Sequence, residues 1–114
     1  MPLTCSVSRG PDYAVVSVAG EIDASTEQGL RDGLAAVLSE GVVRVVVDLD
    51  RVAFMASAGI GILMGVRRLL SDGGGELVLA SAHGDVAQVL DMTGVTNVIP
   101  VTANVADAVA RLDG

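Results

Sequence analysis

The run Val42-Val43-Arg44-Val45-Val46-Val47-Asp48-Leu49 constrains the fold more than any other segment. Consecutive side chains of a strand point to opposite faces, so a strand that is apolar at consecutive positions must be covered on both. The flanking segments supply helices for that cover. Leu30, Leu34, Val37 and Leu38 mark one helical face ahead of the strand, and Gly41 stands where a C-terminal glycine belongs. Ile60 to Leu70 reads as a helix behind it, within a span of about 57–71 that Asp72-Gly73-Gly74-Gly75 ends. Strands alternating with helices imply an α/β layer architecture.

The two ends of the chain complete the pattern. Leu3 to Ser8 alternates apolar and polar, Arg9-Gly10-Pro11-Asp12 is a turn, and Tyr13 to Ala19 resumes as a strand, which predicts an antiparallel hairpin. Gly20-Glu21-Ile22-Asp23 reads as a loop, and the spacing of Ser25 and Gln28 fits a capping box. Glu76 to Ala80 is a short apolar strand and Asp85 to Leu90 a short helix with Val86, Val89 and Leu90 inward. Asn97 to Val101 gives a last weak strand with Pro100 at its end, and Asn104 caps a final helix carrying Val105, Ala108, Val109 and Leu112. The expected fold is one domain over 1–114, α/β, with a mixed sheet of four or five strands and about four packed helices.

Composition narrows the function. Seven basic residues against fourteen acidic give a net charge of −7, the wrong sign for nucleic acid or an anionic membrane surface. Every basic residue is Arg, so the lysine of a P-loop or a Schiff base is absent. Cys5 is the only cysteine, which excludes an intrachain disulfide or a thiolate metal cluster; its alternation with Leu3 and Val7 makes it a small inward side chain. No signal-peptide pattern opens the chain, and the charge-free stretch Val52–Val66 is shorter than the ~18 apolar residues of a membrane span. The expectation is a cytoplasmic protein without cofactor or metal.

One hydroxyl stands out. In Met55-Ala56-Ser57-Ala58-Gly59-Ile60 a buried strand gives way to a helix, placing Ser57 at or next to the N-cap. Unpaired N–H groups and the helix dipole make that position hospitable to a phosphate, and equally to a simple capping hydroxyl. The helix behind it carries no charge from Ala58 to Val66, where a helix on a sheet should show a polar side. Its Gly59, Gly61 and Gly65 each lower helix propensity by about 0.8–1.0 kcal/mol relative to Ala. An exposed apolar face meant for a partner accounts for both features, and plain core packing with burial on all sides is the alternative.

These residues also carry a family likeness. Gly20-Glu21-Ile22-Asp23, the strand Val45-Val46-Val47-Asp48-Leu49 and Phe54-Met55-Ala56-Ser57-Ala58-Gly59-Ile60-Gly61 resemble, in order, three segments of the anti-sigma factor antagonists, single-domain members of the STAS superfamily. The third is similar to their Phe-Met-Asp-Ser-Ser-Gly-Leu-Gly signature. Gly74-Gly75-Glu76-Leu77-Val78-Leu79 and Leu90-Asp91-Met92-Thr93-Gly94 resemble later segments, so the likeness spans nearly the whole chain. It implies a STAS-like fold and a partner switch. The unmodified antagonist binds an anti-sigma factor that is itself a serine kinase and frees a sigma factor; phosphorylated on the signature serine, it lets go.

Ser57 holds that serine's position, and a phosphatase acting on phospho-Ser57 would reset the switch. The resemblance assigns partner contact to Glu21, Asp23, Ala56, Ser57, Ala58, Gly59, Ile60, Gly61 and Met64; solvated loop acids remain an equal reading for Glu21 and Asp23. Ala56 replaces the signature's Asp and Ala58 its second serine. A rival reading is a STAS interaction module with another partner, a stress-signalling scaffold or the cytoplasmic part of a transporter, not regulated by phosphorylation. Catalysis is not expected: Met55 stands where a nucleophile elbow needs glycine, and Met64 breaks the dinucleotide fingerprint begun by Gly59 and Gly61.

Overall fold

The computed structural model describes residues 3–113. The elements follow in the order β1 (Thr4–Arg9), β2 (Ala14–Ile22), α1 (Glu27–Leu38), β3 (Arg44–Met55), α2 (Ser57–Asp72), β4 (Glu76–Ala80), α3 (Gly84–Met92), a 3-10 turn at Val95–Asn97, β5 (Val101–Thr102) and α4 (Val105–Asp113). They build a five-stranded sheet in the order β1-β2-β3-β4-β5. β1 pairs antiparallel with β2, and the remaining pairs are parallel, so the sheet is mixed as expected.

Alternation along β3 divides the core into two layers. Val45, Val47 and Leu49 join Leu30, Leu34, Leu63, Leu70, Val86 and Leu90 of α1, α2 and α3 on one face. Val46 joins Val15, Val78 and Ala80 against Ala108 and Leu112 of α4 on the other. Val45, Val46 and Val47 are all buried, as a strand sandwiched between helical layers requires. α4 leaves the β1 side of its face bare, and there Thr4, Ser6, Ser17, Asp48, Asp50 and Arg51 line an open polar basin.

Several boundaries differ from expectation, each for a physical reason. Gly20 to Ile22 continues β2 rather than forming a loop, because register shifts after Ser17 and after Gly20, which holds φ +123°, absorb the irregularity. β3 starts at Arg44 and runs to Met55 instead of spanning 42–49. No capping box forms: Thr26 stands at the N-cap of α1 without a side-chain cap bond, Ser25 turns to Asp23, and Gln28 bonds Asp32. The weak strand expected over 97–101 is a 3-10 turn followed by the two residues of β5. Gly41, at φ +82°, closes the α1 turn as predicted, and Asn104 Oδ1 accepts the Asp107 N–H at 2.8 Å. Cys5 is half-buried, with its Sγ close under Gly33 of α1.

Candidate functional site

β2 and β3 outrun β4, which pairs with β3 only as far as Asp48 and Ala80. The two longer strands stay together to Ile22 and Met55, and the Ala56 N–H then donates to the Ile22 carbonyl at 2.8 Å. This arm carries the Asp23 loop and the start of α2 side by side. Ala56 is the N-cap of α2 and Ser57 its first helical residue. Ser57 is exposed, and no side chain caps the helix. Its hydroxyl therefore stands beside unpaired N–H groups without serving as the cap, and no acidic residue lies in the first turn to compete for the dipole.

The neighbouring loop is tied to itself. The Asp23 carboxylate Oδ1 accepts the Ser25 N–H at 2.9 Å and the Ser25 hydroxyl at 2.7 Å, with Thr26 Oγ1 at 3.4 Å. The Ser25 hydroxyl bond is the leading cause that holds the Asp23 carboxyl below its ordinary range. Thr26, buried, accepts the Asp23 N–H at 2.9 Å and donates to the Glu21 carbonyl at 2.7 Å. Asp23 thus shapes the loop that flanks Ser57, while Glu21 is exposed.

The glycines of α2 divide into two kinds. A Cβ on Gly59 would sit 2.6 Å from Ile22 Cγ2 and 2.9 Å from Met55 Cγ, so its absence lets α2 close onto the arm. A Cβ on Gly61 or Gly65 would meet nothing within 4 Å. Nothing in this chain's own packing requires glycine there, although each weakens the helix by about 1 kcal/mol. Both are exposed and line an apolar groove of about 520 Å³ between α1 and α2. Ala58, near Ser57, lies at one end, and Leu69, 64% exposed, lies further along; Leu34, Ala35 and Leu38 form the α1 wall, with Arg31 its only charged residue.

Ile60 and Met64 are half-buried and pack against the core, so they are as much support as surface. The sequence marks Leu34 and Leu38 only as one face of α1 and does not single out Ala35 or Leu69, because only the packing of α1 on α2 brings them to this groove. The exposed signal in the chain itself is the pair Gly61 and Gly65, whose spacing puts both on one side of α2.

A family model described as STAS domain matches residues 6–108. The chain belongs to the STAS domain family. This STAS domain is 28% identical to the anti-sigma F factor antagonist of Paenibacillus polymyxa, over 99% of this chain and 97% of that protein. It is 32% identical to the anti-sigma-B factor antagonist of Listeria monocytogenes, over 82% of each. Among solved structures it resembles an anti-sigma factor antagonist from Mycobacterium paratuberculosis, with a TM-score of 0.90 and 28% identity over 98% of this chain and 95% of that one. Among the described residues no helix is long and apolar enough to cross a membrane, and no cluster of His, Cys, Asp and Glu could hold a metal ion.

Proposed function

We propose that this STAS domain is an anti-sigma factor antagonist that binds an anti-sigma factor with serine-kinase activity and so frees a sigma factor, and that phosphorylation of Ser57 breaks this grip. The observation that carries the reading is the exposed Ser57 at the first turn of α2, beside a groove floored by two glycines that the fold itself does not need. A partner seated over Ala58, Gly61 and the Asp23 loop would cover the Ser57 hydroxyl. Phosphate there adds about −1.5 to −2 charge, which an apolar contact cannot desolvate, while the helix N-terminus tolerates it without unfolding. A phosphatase acting on phospho-Ser57 restores binding. The names of the relatives above support the anti-sigma factor antagonist part of this reading.

Ala56, where the family signature has an acid, favours one second reading: an interaction module with another partner that phosphate does not control. Incubation with the candidate kinase and ATP, followed by mass-spectrometric mapping, separates the two. Phosphate confined to Ser57 and absent from Ser57→Ala supports the switch; an unmodified protein that still binds supports the module.

A further inference from the structure

The β2–β3 ladder of the arm that carries Ser57 shifts register twice, and at the first shift a residue 33 positions away bonds the backbone of β3. Along the β2–β3 ladder, Ser17 pairs with Asp48 and Ala19 with Arg51, so Leu49 and Asp50 together stand opposite Val18. This β-bulge leaves Leu49 fully buried and turns Asp50 and Arg51 both into the polar basin. Asp50 has no partner in register on either side, since β4 pairing ends at Asp48. Side chains supply what the ladder does not. Asp48 Oδ1 accepts the Asp50 N–H at 3.1 Å, and His83 Nε2 lies 2.7 Å from the Asp50 carbonyl. A carbonyl only accepts, so His83 carries its proton on Nε2.

The loop that presents His83 is itself constrained. Ser81 holds φ +65°, a left-handed conformation uncommon outside glycine, and its N–H is fastened to the Thr102 carbonyl at 3.0 Å. Strained backbone of this kind persists where the surroundings over-determine it, and it clusters at sites with a task.

We propose that His83 is a positioning residue for the Ser57 site: by fixing the Asp50 carbonyl it sets the direction in which the β3 arm carries Ser57 toward its partner. The inference rests on the Ser57 reading above. A bulge bends its strand and raises the local twist, so the segment beyond it, which shifts register once more at Ala53 before it reaches Ser57, takes its aim from both irregularities, and His83 fixes the first. On the side where β4 has ended, the His83 bond is a tie between the arm and the α3 side of the sheet. Phosphoryl transfer and docking both depend on that aim, because misplacement by about 1 Å is enough to cost rate and affinity.

The test uses the whole protein with His83→Phe, which keeps a ring and removes the donor, and His83→Gln, whose amide N–H reaches near the Nε2 position. Amide hydrogen exchange over Val52 to Gly59 and affinity for the anti-sigma kinase are measured together, with Ser57→Glu in parallel. Loss of one hydrogen bond predicts exchange about fivefold faster in the arm alone and kinase binding weaker by a similar factor, both restored by Gln. Unchanged exchange, faster exchange spread evenly over all elements, unchanged kinase binding despite a loosened arm, or failure of Gln to restore overturns the proposal. If Ser57→Glu binds like the unmodified protein, the Ser57 reading fails, and the exchange profile alone decides whether His83 holds the arm.

Discussion

Alanine at Gly61 and at Gly65 should stabilise this domain, whereas alanine at Gly59 should destabilise it. The intrinsic helix term is the same at all of them, about 1 kcal/mol in favour of Ala. At Gly61 and Gly65 the added methyl meets nothing within 4 Å, so that term stands unopposed. At Gly59 the methyl would lie 2.6 Å from Ile22 Cγ2 and 2.9 Å from Met55 Cγ. Both side chains are buried, and β-branched Ile22 has little rotamer freedom to give way. Overpacking of that kind costs about 1–3 kcal/mol and outweighs the helix gain. For a domain of this size 1 kcal/mol moves the melting temperature by roughly 4 °C, well within the reach of calorimetry. The expected order of Tm is Gly61→Ala and Gly65→Ala above wild type, and Gly59→Ala below it. The same stabilised variants should bind the anti-sigma partner more weakly, because their methyl groups intrude on the groove floor. A destabilised Gly61→Ala, or a stabilised Gly59→Ala, would refute the division of these glycines into a packing position and a surface position.

Leu69→Asp should leave the fold intact, since Leu69 is 64% exposed, and should weaken partner binding at least tenfold in a titration. Met64→Asp should instead lose stability outright in a denaturant melt, because Met64 packs against the core. Asp23 has a folded-state pKa below its ordinary value of 3.8, chiefly through the Ser25 hydroxyl, so its ionised form stabilises the fold. That contribution is complete above the unfolded value and is lost as pH falls through the lower folded value; the Tm gap between wild type and Asp23→Asn should therefore be constant near neutrality and close below about pH 3.8. A gap that persists into strong acid would contradict the assignment. Asn104→Ala removes the Asp107 N–H acceptor and should cost about 1 kcal/mol by equilibrium unfolding.

How much of this was legible in the chain varies by element, and for identifiable reasons. The α2 span was readable because an unbroken apolar helix runs from a strand end into Asp72-Gly73-Gly74. Both layers of the core followed from Val45-Val46-Val47, whose consecutive apolar side chains admit no exposed face. β3 looked complete at Leu49 because Asp50-Arg51 resembles a polar strand end. Only the bulge allows two adjacent polar residues to face solvent within a continuing strand, and its backbone partners, Asp48 and His83, include one remote in sequence. The Asp48 carboxylate holds the Asp50 N–H from two positions away, while His83 reaches the Asp50 carbonyl across 33 positions of sequence, a pairing that no local pattern announces. β2 similarly seemed to stop before Gly20, since register shifts have no local pattern to announce them. At the site, Ser57 and the small residues of α2 were visible in the chain. The α1 wall, Leu34, Ala35 and Leu38, was read only as core-facing or passed over, because which helices share a groove is a tertiary fact.

Isothermal titration of the anti-sigma kinase with protein carrying phosphate on Ser57, run beside a melting curve of the same sample, addresses the switch most directly. The account predicts affinity lost by two orders of magnitude or more, with Tm within a few degrees of the unmodified domain. Undiminished binding by the phosphorylated form, or binding lost only because the domain has melted, would contradict it.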